Sequence, residues 1–178
     1  DPLIDFKTLI GTDNEDMMAG NDSNDQLRGG EGHDYLYGLG GDDWMYGGLP
    51  YDNSDTAGNL LSGGSGDDYL YGADYGAEGD LMYGGTGTDR LYGNAGNDTL
   101  QGGGDNDTLD GGVGIDEADY SLAGAAVDAS LTTGTATGGD GSDTLIEIEN
   151  LTGTDYDDTL TGNDQANAIQ GLQGNDLI

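Results

Sequence analysis

Fourteen aspartates recur at one phase of a nine-residue period, and that spacing sets the chemistry this chain can offer. They are Asp16, Asp25, Asp34, Asp43, Asp52, Asp68, Asp80, Asp89, Asp98, Asp107, Asp116, Asp143, Asp158 and Asp176, and Asn167 holds the same phase once more. Carboxylates are hard oxygen donors. Stacked in pairs they repel unless a cation lies between them, and two carboxylates completed by main-chain carbonyls make an all-oxygen cage of about six ligands. Such a cage suits calcium. Magnesium holds its waters too firmly, and zinc prefers Cys or His, of which the chain has none and one. Catalysis is poorly supplied. His33 has no base or nucleophile in its sequence context, and with 36 acidic residues no carboxylate pair stands out as an acid and base. No catalytic residue is assigned, and the segment is read as not an enzyme.

The elements that position these carboxylates follow from the rest of the period. Units open at Gly11, Gly20, Gly29, Gly38 and Gly47. They resume at Gly63, Gly72, Gly84, Gly93, Gly102 and Gly111, with three extra residues after Gly72. A lone unit opens at Gly138, and a last run at Gly153, Gly162 and Gly171. Within these 15 units the fourth residue is Gly in eight, and the eighth is Leu, Met or Ile in 13. A G-x-x-G-x-D segment makes a tight turn with positive φ, which glycine permits. The following x-U-x triplet, with U a large aliphatic residue, is a very short strand whose middle side chain points inward. Strand and turn in alternation coil into a solenoid with 18 residues per circuit, so the sixth position of each unit lies beside that of the unit two further on. The predicted neighbours are Asp16 with Asp34, Asp25 with Asp43, Asp34 with Asp52, Asp68 with Asp89, Asp80 with Asp98, Asp89 with Asp107, Asp98 with Asp116, and Asp158 with Asp176. Those pairs correspond to roughly eight calcium ions. EF-hands are excluded because their helices are implausible with 37 glycines.

The units are clearest at 84–92 (GGTGTDRLY) and 93–101 (GNAGNDTLQ). They resemble the GGxGxDxUx nonapeptide of RTX (repeats-in-toxin) proteins, also called haemolysin-type calcium-binding repeats, over about three quarters of the chain. The resemblance implies an all-β fold, a right-handed parallel β-roll (β-solenoid) with two repeats per coil. It also implies a calcium ion in each turn, type I secretion, folding outside the cell, and the sixth-position aspartates as ligands.

Breaks in the pattern divide the chain into residues 1–10 as a capping strand, 11–119 as an RTX β-roll, 120–137 as a motif-free segment and 138–178 as a second RTX block. Residues 56–62 read as extra. Pro50 then sits in the turn before them and Ser54 at an inward place, which makes Asp52 a weaker ligand; Asn167 lacks the charge of a full ligand. Val127 and Ala136 keep the inward phase, so 120–137 is expected to form a metal-free β coil or a short hairpin cap, and 146–152 (IEIENLT) a longer strand. Residue 1 is Asp and the repeat runs up to Ile178, so both ends read as cut from a longer chain.

The formal net charge is −33, and hydrophobic residues make up 33%. One buried aliphatic side chain per nine ordered residues is too little to offset the backbone entropy, and like charges oppose compaction. The metal-free chain is therefore expected to be unfolded, with calcium binding driving folding. Eight ions would bring the charge to about −17. Three cations, Lys7, Arg28 and Arg90, cannot neutralise phosphates, so nucleic acid is excluded as a partner. No apolar run approaches a membrane span. Aromatic residues fall at outward positions: Tyr37, Tyr46, Tyr71, Tyr83 and Tyr92 at the ninth place, Tyr35, Trp44 and Tyr69 at the seventh. They read either as ladders that stack between coils or as the glycan- or surface-binding face of an adhesin. A further reading is the passive C-terminal roll of a secreted hydrolase, lyase or epimerase. Localisation is expected to be secreted, extracellular or at the cell surface.

Overall fold

A computed structural model describes residues 7–48, 55–76, 78–139 and 141–178. Asp52, Ser54, Pro50 and the first six residues of the capping strand lie outside the described residues. Two sheets face each other. The first carries, in spatial order, β1 (Thr8–Ile10), β3 (Gln26–Arg28), β5 (Trp44–Tyr46), β7 (Tyr69–Tyr71), β9 (Arg90–Tyr92), β11 (Thr108–Asp110), β15 (Gly141–Ile146), β14 (Thr135–Gly138), β13 (Val127–Ser130) and β17 (Thr159–Thr161). The second runs β2 (Met17–Ala19), β4 (Tyr35–Gly40), β6 (Leu60–Ser65), β8 (Leu81–Thr86), β10 (Thr99–Gly104), β12 (Glu117–Asp119), β16 (Asn150–Thr152) and β18 (Ile169–Gln170). Successive strands alternate between the sheets up to β12, and each pairs in parallel with the strand one coil later. This is a parallel β-roll of about seven turns. Among the described residues there is no helix long and apolar enough to cross a membrane.

The 18-residue circuit is visible in the register. Thr8 pairs with Gln26, Met17 with Tyr35 and Leu81 with Thr99. The inward side chains of the two sheets form the core between them. Leu27, Leu36, Met45, Leu61, Leu70, Met82, Leu91, Leu100 and Leu109 are wholly buried, while their strand neighbours, apart from the buried Gln101, are half-buried or exposed. Positive-φ glycines let the coils stack closely. Gly85 has φ +121, and a Cβ there would strike the Gly64 carbonyl of the preceding coil.

Two registers depart from a plain 18. Tyr35 pairs with Leu60 and Trp44 with Tyr69, a step of 25. Asn59, Leu60 and Leu61, within the stretch 56–62 read as extra, therefore take places six to eight of the unit that opens at Gly47. Asp34 thus neighbours Asn59 instead of Asp52. The core column explains the choice: Leu61 fills an inward place that Ser54 would line with a hydroxyl, and lengthening a turn costs little. The three-residue insertion gives a step of 21 between Leu60 and Leu81.

Residues 120–137 do not complete a circuit. β13 and β14 pair antiparallel, and β14 pairs antiparallel with β15. The first sheet thereby gains strands between β11 and β17 where the second has β16 alone between β12 and β18. Val127, Ala129 and Ala136 are buried. Both sheets continue across the segment, since β11 pairs with β15 and β12 with β16.

Candidate metal centre

The sixth-position side chains form two hydrogen-bonded ladders, one along the turns that lead into each sheet. On the first, the backbone N–H of Asp25 donates to Asp43 Oδ1 at 2.7 Å, Asp43 to Asp68 at 2.7 Å, Asp68 to Asp89 at 2.8 Å, Asp89 to Asp107 at 2.8 Å and Asp107 to Asp143 at 3.0 Å. The ladder begins with Lys7 N–H on Asp25 Oδ1. On the second, Asp16 N–H donates to Asp34, Asp34 to Asn59 Oδ1, Asn59 to Asp80, Asp80 to Asp98, Asp98 to Asp116 and Asp116 to Glu149 Oε2, at 2.6 to 2.9 Å. Asp158 N–H reaches Asp176 Oδ1 at 3.0 Å. Seven of the eight neighbour pairs expected from the spacing are thus in contact. The eighth involves Asp52, outside the described residues; the Asp34 N–H meets Asn59 Oδ1. Sequence reasoning missed Asn59 and Glu149. Both stand two residues before an inward leucine (Asn59-Leu60-Leu61 and Glu149-Asn150-Leu151), which is the signal that could have found them.

One carboxylate oxygen is spent on the ladder; the other decides what each residue can bind. The Oδ2 atoms of Asp34, Asp43, Asp68, Asp89, Asp98 and Asp116 are buried with no hydrogen-bond partner. In the first five each lies against the opening glycine of its own turn, beside the main-chain oxygen of the next coil: Gly47 for Asp34, Gly63 for Asp43, Gly84 for Asp68, Gly102 for Asp89 and Gly111 for Asp98. A Cβ on that glycine would fill the place where the two oxygens meet. At other sixth-position residues a donor does reach Oδ2. Asp16 takes the N–H and Oγ1 of Thr12, Asp25 the N–H of Asn21, Asp80 the N–H of Ala73, and Asp158 the N–H and Oγ1 of Thr154. Asp143 Oδ2 accepts the Tyr120 hydroxyl at 3.0 Å.

Orphaned buried carboxylate oxygens are costly unless something neutralises them. Burial pushes Asp34, Asp68 and Asp98 up to about 6, and Asp43, Asp80 and Asp89 to about 7, with hydrogen bonds from backbone N–H groups opposing and neighbouring carboxylates adding to the rise in each. Asp116 is raised for the same first reason. Among the described residues no three Asp, Glu, His or Cys side chains converge, so a cation here would take its remaining oxygens from the main chain. A hard, geometrically tolerant ion fits this donor set.

A family model for the RTX calcium-binding nonapeptide repeat matches residues 8–49, 55–74, 83–118 and 148–178, well over half of the chain. The chain belongs to the RTX calcium-binding repeat family. It is a calcium-binding RTX repeat module with a parallel β-roll fold. No curated protein matches it.

The RTX roll separates the aromatic residues by sheet, because consecutive units face opposite ways. Trp44 stacks on Tyr69 with centroids 4.9 Å apart, and Tyr46, Tyr71 and Tyr92 form a column at 4.9 and 4.8 Å with planes 7° apart. All five belong to the first sheet. Arg28 lies 5.5 Å over Tyr46, and Arg90 lies 5.1 Å over Tyr69 and donates to its hydroxyl at 3.0 Å. Tyr35, Tyr37 and Tyr83 stand on the second sheet, where Tyr35 meets His33 edge-on. Ring faces in the columns are covered by one another, which supports stacking between coils. Tyr71 has a ring on each face. Tyr71→Ala is expected to lower the calcium-loaded stability by about 1–3 kcal/mol, from two stacked pairs of about 0.5–1.5 kcal/mol each. Tyr83→Ala, with no stacked ring among the described residues, should cost less. Denaturant melts of both variants in calcium check this, and equal losses would count against the columns.

Proposed function

We propose that this module folds by binding calcium between consecutive coils, in a secreted bacterial protein whose repeats stay unfolded where calcium is scarce and fold outside the cell. The observation that carries the reading is the row of buried, unpartnered Oδ2 atoms on Asp34, Asp43, Asp68, Asp89, Asp98 and Asp116. Calcium would be held by these carboxylates and by the main-chain oxygens beside them, and it would supply the positive charge that lets them remain ionised when buried. The occupied sites fall within residues 11–119. In the block at 138–178 the Asp143 and Asp158 oxygens meet Tyr120, Thr154 and the Val127 N–H instead. The ion count is then about six, one for each of these ladder carboxylates, below the roughly eight of the spacing rule. Equilibrium dialysis against calcium with metal analysis of the protein tests this; a chain that retains no calcium would sink it.

Proton competition gives a second test. In the metal-free fold these carboxylates sit at about 6 to 7 against an ordinary 3.8. Their contribution to metal-free stability is therefore fully present below about 3.8 and is lost as pH rises through 6 to 7. Calcium requires the ionised form, so its apparent affinity should weaken as pH falls from about 7.5 to about 5.5. Titrations followed by circular dichroism at both values should show a higher calcium midpoint at the lower pH. An unchanged midpoint would argue against buried carboxylate ligands.

A further inference from the structure

The long turn between Gly47 and Asn59 brings in a carboxylate that the sixth-position phase does not contain. At this coil the ladder place belongs to neutral Asn59, whose Oδ1 accepts the Asp34 N–H at 2.8 Å. Asp34 therefore has a charged ladder neighbour, Asp16, on one side only, whereas Asp43, Asp68 and Asp89 have one on both. Asp55 stands beside the gap and is only 2% exposed. Its Oδ1 accepts the N–H of Gly32, in the turn one coil earlier, and the N–H of Ala57 in its own turn, each at 3.3 Å. Its Oδ2 is buried without a partner, as is Asp34 Oδ2. Asp34 Oδ2 and the Gly47 carbonyl meet at Gly29, while Asp55 Oδ2 lies against Gly48, the next residue along from that carbonyl. Asp34 and Asp55 are close enough for the charge of one to act on the other, and the Asn59 side chain offers Asp55 only a neutral amide; two buried carboxylates this near each other favour a shared positive charge.

We propose that Asp34 and Asp55 hold a calcium ion outside the repeat register, with Asp55 supplying the carboxylate that the ladder loses at Asn59 and the Gly47 carbonyl among the ligands. The inference rests on the calcium reading above and extends it to a residue in a turn insertion. The insertion thus preserves a site that the Asn59 substitution alone would weaken.

The test counts calcium per chain, by dialysis and metal analysis at saturating calcium, in the full chain and in three variants. Asp55→Asn is expected to keep its β-sheet circular dichroism and bind one ion fewer. Adding Asn59→Asp to it returns a carboxylate to the ladder and should restore the count. Asp98→Asn, in the middle of the regular ladder, reports on the general reading and should also lose an ion. If Asp55→Asn keeps the wild-type count while Asp98→Asn loses one, the insertion site is overturned and the ladder sites stand. Should no variant change the count, or the wild type bind nothing, both readings fail. If Asp55→Asn does not fold even in saturating calcium, the double variant decides. Recovery of fold and count supports the site; continued failure means that Asp55 matters for its bonds to Gly32 and Ala57, and overturns it.

Discussion

Stripped of calcium at neutral pH, the chain is expected to lose most of its β-sheet circular dichroism and to expand toward the radius of gyration of an unfolded polymer of this length, about 45 Å. The compact form is unfavourable for three reasons that act together. Its core is a narrow row of mostly aliphatic side chains between the two sheets, its formal charge is −33, and six ladder carboxylates carry buried oxygens with no donor. Calcium acts on the second and third at once. Because each coil rests on its neighbours, ordering one coil completes the site of the next, so refolding on calcium addition should be steep in calcium concentration. Magnesium at the same concentration should restore little, since it resists losing its waters to main-chain carbonyls. Circular dichroism and small-angle scattering in chelator, then in calcium, give the answer. A β-rich, compact chain in excess chelator would refute the coupling of metal to folding.

Asp89→Ala should do more damage than any surface change of equal size. Asp89 stands mid-ladder. Its Oδ1 accepts the Asp68 N–H, its own N–H donates to Asp107, and its Oδ2 is one of the unpartnered oxygens. Truncation leaves the buried Asp68 N–H without an acceptor, at about 1–3 kcal/mol, and removes a calcium ligand as well. The calcium midpoint should rise several-fold and the ion count should fall. Asp89→Asn separates the two effects: its amide oxygen can keep the Asp68 bond while the charge is lost, so stability should recover in part and the ion count should not. Asp13→Ala, an exposed turn residue, should leave both unchanged. Midpoints and counts for the three variants check the ordering, and an Asp89→Ala protein that titrates like wild type would remove the ladder from the mechanism.

Most of the ladder was legible because its period is written in residue types that few other folds require. A glycine, an aspartate and an aliphatic residue at fixed offsets specify turn, ligand and core in a single unit. Legibility failed where the unit was stretched. After Gly47, counting by nine put Asp52 in the ladder, but a turn can absorb seven residues while the inward column cannot lose a side chain, so Leu61 set the register and Asn59 came with it. The aromatic residues were read as one outward class, yet a half-circuit of nine residues turns each unit to the opposite sheet. Only five of the eight share a face. Tyr120 carries no motif at all, and its hydroxyl reaches Asp143 across 23 residues.

The sequence by itself determined the repeat, the strand and turn chemistry, the 18-residue circuit and the hard-cation character of the ligands, because each of these is local to nine residues or to two neighbouring units. Tertiary structure alone decided which carboxylates keep an oxygen free of donors. That depends on whether a donor reaches each Oδ2: none does at Asp34 or Asp89, whereas Thr12 does at Asp16, Thr154 at Asp158 and the distant Tyr120 at Asp143. Burial and hydrogen-bond partnership are properties of the stacked coils, and no single repeat encodes them.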